Sequence, residues 1–269
     1  MKTKPQAPSD ILLEVSHLSV GFETEKGLQR AVDDVSFRIP RGRCVGIVGE
    51  SGCGKSVTAM SLVRLLPQPA GRILGGKVLF RGEDVLDMNP RRLQDFRGGQ
   101  VGFIFQEPMN ALNPVQRIGD QIAETLMLHR GMKPDDAWQE AINLLNFVRV
   151  ADPEQRVMEY PSSLSGGMRQ RVVIAIALAC RPELIIADEP TTALDVTVQQ
   201  QILALIRDLR EDLGASALLI THDLGVIAQN CDSVIVMYAG RIVEAAPVNK
   251  LFANPTHAYT RALLASMPR

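Results

Sequence analysis

The segment "CVGIVGESGCGKSVTAMSLVRLL" (residues 44–66) decides the fold, because it places a strand, a glycine-rich loop and a helix in direct succession. Its apolar beginning is typical of a strand that is buried on both faces. Glycines at 49, 52 and 54 let successive N–H groups point inward at an anion, and the helix that follows adds its positive end. The pattern G-x-x-x-x-G-K-[ST] at residues 49–56 therefore predicts a loop that binds the phosphates of a nucleotide.

The polar side chains of this phosphate loop have predicted roles. Lys55 would reach the β and γ phosphates of ATP, and the Ser56 hydroxyl would bind Mg²⁺. The predicted nucleotide contacts in and beside the loop are Gly49, Ser51, Gly52, Cys53, Gly54, Lys55, Ser56 and Val57. Because the loop is electropositive, we expect it to favour the thiolate form of Cys53. A plain glycine-rich turn is the weaker alternative.

Apolar segments elsewhere in the chain indicate further buried strands. They are "VGFIFQ" (101–106), "ELIIAD" (183–188), "ALLIT" (217–221) and "SVIVMYAGRIVE" (233–244). The earlier segments "LLEVSHLSVGF" (12–22) and "VDDVSFRIP" (32–40) alternate instead, which favours antiparallel strands with one wetter face. We therefore predict an α/β fold of the P-loop NTPase type. It has a mainly parallel sheet flanked by helices, an antiparallel β subdomain and an inserted helical subdomain.

The helical subdomain is predicted from the segment between the strands "VGFIFQ" and "ELIIAD". There "KPDDAWQEAINLLNFVRV" (133–150) begins with a proline and two aspartates, and then repeats apolar residues at helical spacing. Core packing is the expected role of Trp138 and of this stripe. The whole chain reads as one nucleotide-binding domain, with an α/β core at about 10–106 and 181–247, helices at about 107–180 and a tail at about 248–269.

Polar side chains follow the buried strands at their C-terminal ends, where ligands bind in parallel sheets. Asp188 ends "LIIAD" and would hold Mg²⁺ through water, while Glu189 would polarise the water that attacks the γ-phosphorus. His222, after "ALLIT", is expected to contact the γ-phosphate. Gln106 ends "VGFIFQ" and would bind Mg²⁺ or the attacking water.

Composition narrows the class of protein. Lys and Arg number 29 against 30 Asp and Glu, so the chain has no basic field for nucleic acid. The longest apolar run, Val172 to Cys180, is about half the length of a membrane-spanning helix. The polar N-terminus does not resemble a secretory signal, which predicts a chain that stays in the cytosol. The four cysteines are scattered and indicate reduced thiols rather than disulfides or a zinc site.

A second phosphate-type site is predicted at "LSGGMRQR" (164–171), which we call the signature segment. Ser165, Gly166 and Gly167 open a helix, as an anion site would require. A second chain can supply these residues to the phosphate loop more easily than the same chain can. A two-fold dimer would then build two composite ATP sites from one phosphate loop and one signature segment each.

Together these motifs resemble the nucleotide-binding subunit of an ABC transporter over essentially the whole chain. The matching segments are Walker A (49–56), the Q-loop at Gln106, the signature segment, Walker B with "DEP", the D-loop "ALD" (193–195) and the switch His222. The resemblance implies that Asp195 belongs to the nucleotide site. It also implies that Phe22 stacks on adenine, although an aromatic ring there is otherwise ordinary core.

Several longer segments resemble subunits of dipeptide, oligopeptide and nickel importers. They are "GESGCGKSVTAMSLVRLLP", "IFQEPMNALNPV", "IADEPTTALDVTVQQQIL" and "NPTHAYTRALLASMPR". This likeness implies a peripheral protein on the cytoplasmic face of the inner membrane. Its implied partners are two membrane permease subunits, a second ATP-binding subunit that is identical or a paralogue, and an extracytoplasmic solute-binding protein reached through the permeases.

The sequence departs from these importers in two places. It has "HAY" (257–259) where relatives commonly carry His-Pro-Tyr. It is also expected to be truncated before their cysteine-containing extension, which leaves an iron–sulfur cluster unsupported.

Two residues that follow Gln106, Met109 and Leu112, have two interpretations of equal weight. They line a groove for a permease helix, or they pack within the helical subdomain.

The alternative function is a soluble ABC-type ATPase clamp in DNA repair or translation. Repair clamps usually carry a long coiled-coil insertion, and translation factors usually carry two such domains; neither feature is found in the sequence. A P-loop kinase would leave the signature segment without a role. The identity of the transported solute stays open.

Overall fold

The computed structural model describes residues 10–192 and 194–266, and Ala193 of the predicted D-loop lies outside them. The strands are β1 (Ile11–Thr24), β2 (Gly27–Pro40), β3 (Cys44–Val48), β4 (Gly71–Phe80), β5 (Glu83–Asp84), β6 (Val101–Ile104), β7 (Leu184–Asp188), β8 (Ser216–Ile220), β9 (Ser233–Tyr238) and β10 (Arg241–Pro247). The α-helices are α1 (Lys55–Leu62), α2 (Pro90–Asp95), α3 (Pro108–Ala111), α4 (Ile118–Arg130), α5 (Pro134–Phe147), α6 (Pro153–Arg156), α7 (Gly166–Leu178), α8 (Val196–Leu213), α9 (Leu224–Asn230), α10 (Val248–Ala253) and α11 (Ala258–Ala265).

The chain divides into two compact units. The first contains the residues up to Leu93 and those from Ser216 onward, and the second runs from Gln94 to Ala215. The second unit therefore contains the predicted helical subdomain and, in addition, β6, β7 and α8. Across the described ranges, none of the helices combines the length and the apolar character that a bilayer crossing requires.

An antiparallel sheet in the first unit has the strand order β2-β1-β4-β5. β1 pairs with β2 so that Val15 lies opposite Phe37 and Val20 opposite Val32, and all four side chains are buried. The alternation predicted these strands because every second residue faces the core. The antiparallel subdomain of the predicted fold class is confirmed.

Parallel strands in the first unit carry the phosphate loop. β3 pairs with β8 on one side and β9 on the other, in parallel, and every residue of β3 is buried. The segment 233–244, expected as one strand, instead contains β9, a turn and the antiparallel β10. Ala239 and Gly240 both have positive φ (47° and 80°), which is the backbone of a two-residue hairpin turn.

In the second unit, β6 and β7 are parallel and the helices supply most of the core. α5 begins at Pro134 as predicted, and Ala137, Ala141 and Leu145 of its apolar stripe are fully buried. Trp138 packs so tightly on Gly119 of α4 that a Cβ there would lie 2.6 Å from the indole ring. This contact supports the core-packing interpretation of Trp138.

The C-terminal segment is tied to β10 through Glu244. Its Oε1 accepts hydrogen bonds from the backbone and the hydroxyl of Thr256, both at 2.8 Å, and its Oε2 accepts one from His257 N at 3.0 Å. Burial acts to raise the pKa of Glu244. The nearby Thr260 hydroxyl and these donors outweigh burial and lower the pKa to about 2. The carboxylate therefore anchors the turn that leads into α11.

We expect this anchor to stabilise the fold at neutral pH and to weaken in acid. Because the pKa of about 2 in the folded chain lies below the ordinary 4.5, the contribution is complete above pH 4.5 and is lost as the pH falls towards 2. Glu244→Gln should lower the free energy of unfolding in urea at pH 7, and its difference from wild type should shrink between about pH 5 and pH 3. A difference that stays constant over this range would contradict the assignment.

Candidate functional site

The phosphate loop connects β3 to α1 in the conformation that its glycines were expected to allow. Gly52 and Gly54 have φ of 80° and 101°, a region that side chains with a Cβ rarely occupy. Gly54 is also crowded, because a Cβ there would lie 2.5 Å from the carbonyl oxygen of Ala31 in β2. Gly49 is packed against β9, where a Cβ would lie 2.3 Å from the carbonyl oxygen of Met237.

Lys55 lies beneath this loop with only 4% of its surface exposed. Its ammonium group donates hydrogen bonds to the carbonyl oxygens of Gly49 at 2.9 Å and Glu50 at 3.0 Å. Ser51 and Gly52 are exposed at the tip, and Ser56 and Val57 are half-buried at the start of α1. Backbone carbonyl oxygens therefore hold a buried cation at the loop. A cation beside a glycine-rich loop at the start of a helix is suited to a polyphosphate.

The expected thiolate character of Cys53 is wrong. Its side chain is buried, with 6% exposed, and burial raises the pKa of the thiol above its usual value, although Lys55 and nearby backbone groups act to lower it. Desolvation of the charged form outweighs the attraction of the loop. Cys53 is therefore a packed, protonated residue, and the sequence pattern gave no signal of its burial.

Phe22 and His222 also belong to the first unit. Phe22 is half-buried in β1 opposite Gly71 of β4, and a Cβ on Gly71 would lie 3.1 Å from its ring. His222 follows β8 and is exposed. The next residue, Asp223, begins α9 by accepting hydrogen bonds from Gly225 N and Val226 N. Their predicted contacts with adenine and the γ-phosphate stay predictions.

The two carboxylates of the second unit have different environments. Asp188 ends β7 with 5% of its surface exposed. Glu189 follows it with φ of 44°, a left-handed conformation that is unfavourable for a residue with a long side chain. Strain of this kind clusters at functional sites, where surrounding contacts hold it in place.

Two side chains hold the carboxylate of Glu189. Gln106, after β6, donates from Nε2 to Oε2 of Glu189 at 3.2 Å, and Thr192 donates from its hydroxyl to the same oxygen at 3.1 Å. The structure therefore brings together two of the predicted catalytic residues. Thr192 was not predicted, because a threonine in a turn has no distinctive pattern; its spacing three residues after Glu189 was the available signal.

The signature segment begins α7. The hydroxyl of Ser165 accepts a hydrogen bond from Met168 N at 3.4 Å, and Ser165 and Gly166 are exposed at the helix terminus. Gly167 packs on α8, where a Cβ would lie 2.8 Å from Val198. Asp195 caps α8 by accepting a hydrogen bond from Val198 N at 2.9 Å. Asp195 thus has a structural role beside its predicted role in nucleotide binding.

The predicted metal ligands offer oxygen donors of the kind that Mg²⁺ prefers. They are the hydroxyl of Ser56 in the first unit, and the amide of Gln106 and the carboxylate of Asp188 in the second. Within 10–192 and 194–266, no cluster of three or more His, Cys, Asp or Glu side chains could hold a metal ion. The chemistry of the donor set fits a magnesium ion that accompanies nucleotide.

Known proteins are similar to this chain over most of its length. The family model described as ABC transporter matches residues 32–192. The chain is 53% identical over its full length to a probable peptide ABC transporter ATP-binding protein of Sinorhizobium fredii and covers 79% of that protein. It is 49% identical to the oligopeptide transport ATP-binding protein OppD of Bacillus subtilis, over 96% of this chain and 72% of that one.

Solved structures show the same fold. A dimeric bacterial ABC transporter cassette matches with a TM-score of 0.78 and 27% identity, over 88% of this chain and 98% of that one. A dimeric post-hydrolysis state of an ATP-binding cassette with ADP and phosphate matches with a TM-score of 0.78 and 26% identity, over the same shares. These matches confirm the predicted fold class and the predicted ATPase class: the protein is a nucleotide-binding member of the ABC transporter family.

Proposed function

We propose that the chain is the ATP-hydrolysing subunit of an importer for peptides or a related small solute. The observation that carries the proposal is the strained Glu189, whose carboxylate is held by Gln106 and Thr192 next to the buried Asp188. Such an arrangement suits a base that must keep one orientation. The closely related peptide-transport subunits supply the solute class.

In this proposal, one set of residues stabilises the charge on the phosphates and another activates the attacking water. The phosphate loop and Lys55 bind the β and γ phosphates and stabilise the charge that develops on them. Glu189 orients and deprotonates the attacking water, and His222 contacts the γ-phosphate. Ser56, Gln106 and Asp188 would hold Mg²⁺, which would supply positive charge to neutralise the phosphates.

The signature segment supports a dimer as the active form. Ser165 and Gly166 are exposed at the start of α7, so their hydroxyl and backbone N–H groups can meet the γ-phosphate on a second chain. Both of these solved structures, which have the same fold, are dimeric. We propose that ATP joins two such subunits, identical or paralogous, and that hydrolysis releases them. Asp195 and the adenine-stacking Phe22 complete the site.

The membrane partners are proposed to be two permease subunits, with a solute-binding protein on their far side. The chain would then lie on the cytoplasmic face of the membrane. Of the two residues predicted near the permease groove, Leu112 is 3% exposed and packs in the core, whereas Met109 is 43% exposed on α3. Leu112 is therefore withdrawn from the proposed permease contact, and Met109 and the surface around it are kept.

Glu189→Gln should lower the rate of ATP hydrolysis by about 100-fold or more, because glutamine keeps the shape of the side chain but removes the base. ATP should then persist and hold two chains together, so light scattering with Mg²⁺ and ATP should report a dimer. Adding Ser165→Arg should return the chain to a monomer, since arginine would obstruct the helix terminus. A dimer that survives Ser165→Arg would reject the composite site.

Met109→Glu should reduce the stimulation of ATP hydrolysis by reconstituted permeases about tenfold or more, because it places a charge in the proposed interface. The unstimulated rate should not change, since Met109 is exposed and lies outside the nucleotide site. Leu128→Glu is the matched control, because Leu128 is also exposed (59%) in the same unit but on α4. Equal stimulation of both variants and wild type would remove Met109 from the interface.

A further inference from the structure

The C-terminal helix α11 contacts the phosphate loop through one side chain. Tyr259 lies at the second position of α11, and its hydroxyl oxygen accepts a hydrogen bond from the backbone N–H of Glu50 at 3.1 Å. Its ring packs against that of Tyr238 at the end of β9, with ring centroids 4.6 Å apart. The proposed function gives neither tyrosine a role.

The residue that Tyr259 holds is central to the loop. The carbonyl oxygen of Glu50 accepts hydrogen bonds from the ammonium group of Lys55 at 3.0 Å and from the backbone N–H of Cys53 at 3.3 Å. Glu50 therefore has its N–H fixed by the C-terminal helix and its carbonyl fixed by the loop and its lysine. The hydroxyl of Tyr259 is two hydrogen bonds away from the proposed phosphate ligand Lys55.

The helix itself is fixed in place from the other side. Glu244 binds Thr256 and His257 immediately before α11, and the ring nitrogen Nδ1 of His257 accepts a hydrogen bond from Tyr259 N at 3.2 Å. Burial raises the pKa of the Tyr259 hydroxyl, so the group stays neutral at physiological pH. A rigid, neutral acceptor is thereby presented to the loop.

We propose that Tyr259 is a positioning residue of the ATP site: it holds the Glu50 peptide so that the phosphate loop and Lys55 keep the geometry that binds nucleotide. This inference rests on the proposed function of the loop. It makes the C-terminal segment part of the nucleotide site, and it predicts an effect on ATP affinity rather than on the chemical step, because the catalytic residues are not altered.

Tyr259→Phe tests this, since it removes the hydroxyl and keeps the ring that packs on Tyr238. In the full chain, the KM for ATP should rise about threefold to tenfold, the loss expected for one hydrogen bond, while kcat stays within about twofold. Without nucleotide, iodoacetamide should label the buried Cys53 faster than in wild type, and saturating ATP should restore protection. A purely structural loss at the chain end would leave both the KM and this labelling unchanged.

Tyr238→Phe is the matched control, because it removes the hydroxyl of the other ring of the pair. Tyr238 is 48% exposed, and its hydroxyl has no hydrogen-bond partner among the described residues. It should retain the wild-type KM and labelling rate. A Tyr259→Phe variant with wild-type KM and labelling, or with lower kcat at unchanged KM, would overturn the inference.

Lys55→Ala separates the role of Tyr259 from the proposed function of the loop. If Lys55→Ala abolishes ATP binding while Tyr259→Phe has no effect, only the role of Tyr259 fails. Absence of ATP binding by wild type would reject the proposed function itself.

Discussion

The buried ammonium group of Lys55 is the constraint on which the first unit depends. Removing a cation from water is costly unless fixed dipoles replace the lost hydration. Here the carbonyl oxygens of Gly49 and Glu50 supply them, and they converge only because the loop curls at Gly52 and Gly54. The loop also packs closely on β2 and β9, where a Cβ at Gly54 or Gly49 would clash with a backbone carbonyl oxygen.

The sequence predicted the local parts of this arrangement and missed those that depend on packing. The strand-loop-helix of residues 44–66 and the alternation of β1 and β2 are encoded in residue spacing, and both are present. The burial of Cys53 depends on packing that the local charge of the loop does not reveal, whereas the burial of Leu112 agrees with one of the two interpretations that the sequence left open. The β9–β10 hairpin was missed because its turn, Ala239–Gly240, lacks the usual asparagine or aspartate.

The substitution of alanine in "HAY" has a simple physical explanation. Ala258 is the first residue of α11, directly after the capping residue His257. Proline is favoured at this position because the N–H that it lacks has no partner within the helix. Alanine also fits there, since it is a strong helix former. The departure from the importer pattern therefore leaves the helix start intact and keeps Tyr259 at the point where it reaches Glu50.

Each unit holds a charged side chain in place, but the groups that hold it differ. In the first, backbone groups hold the cation, and glycine is required where side chains would clash. In the second, side chains hold an anion, since Gln106 and Thr192 both donate to the strained Glu189. The carbonyl oxygens keep the ammonium charge of Lys55 at the loop, and this charge together with the N–H groups of the loop suits a polyphosphate, whose charge is spread over many oxygens. A single carboxylate held by two donors suits one directed proton transfer, so the proposed roles in binding and in catalysis match the kind of group that each unit holds.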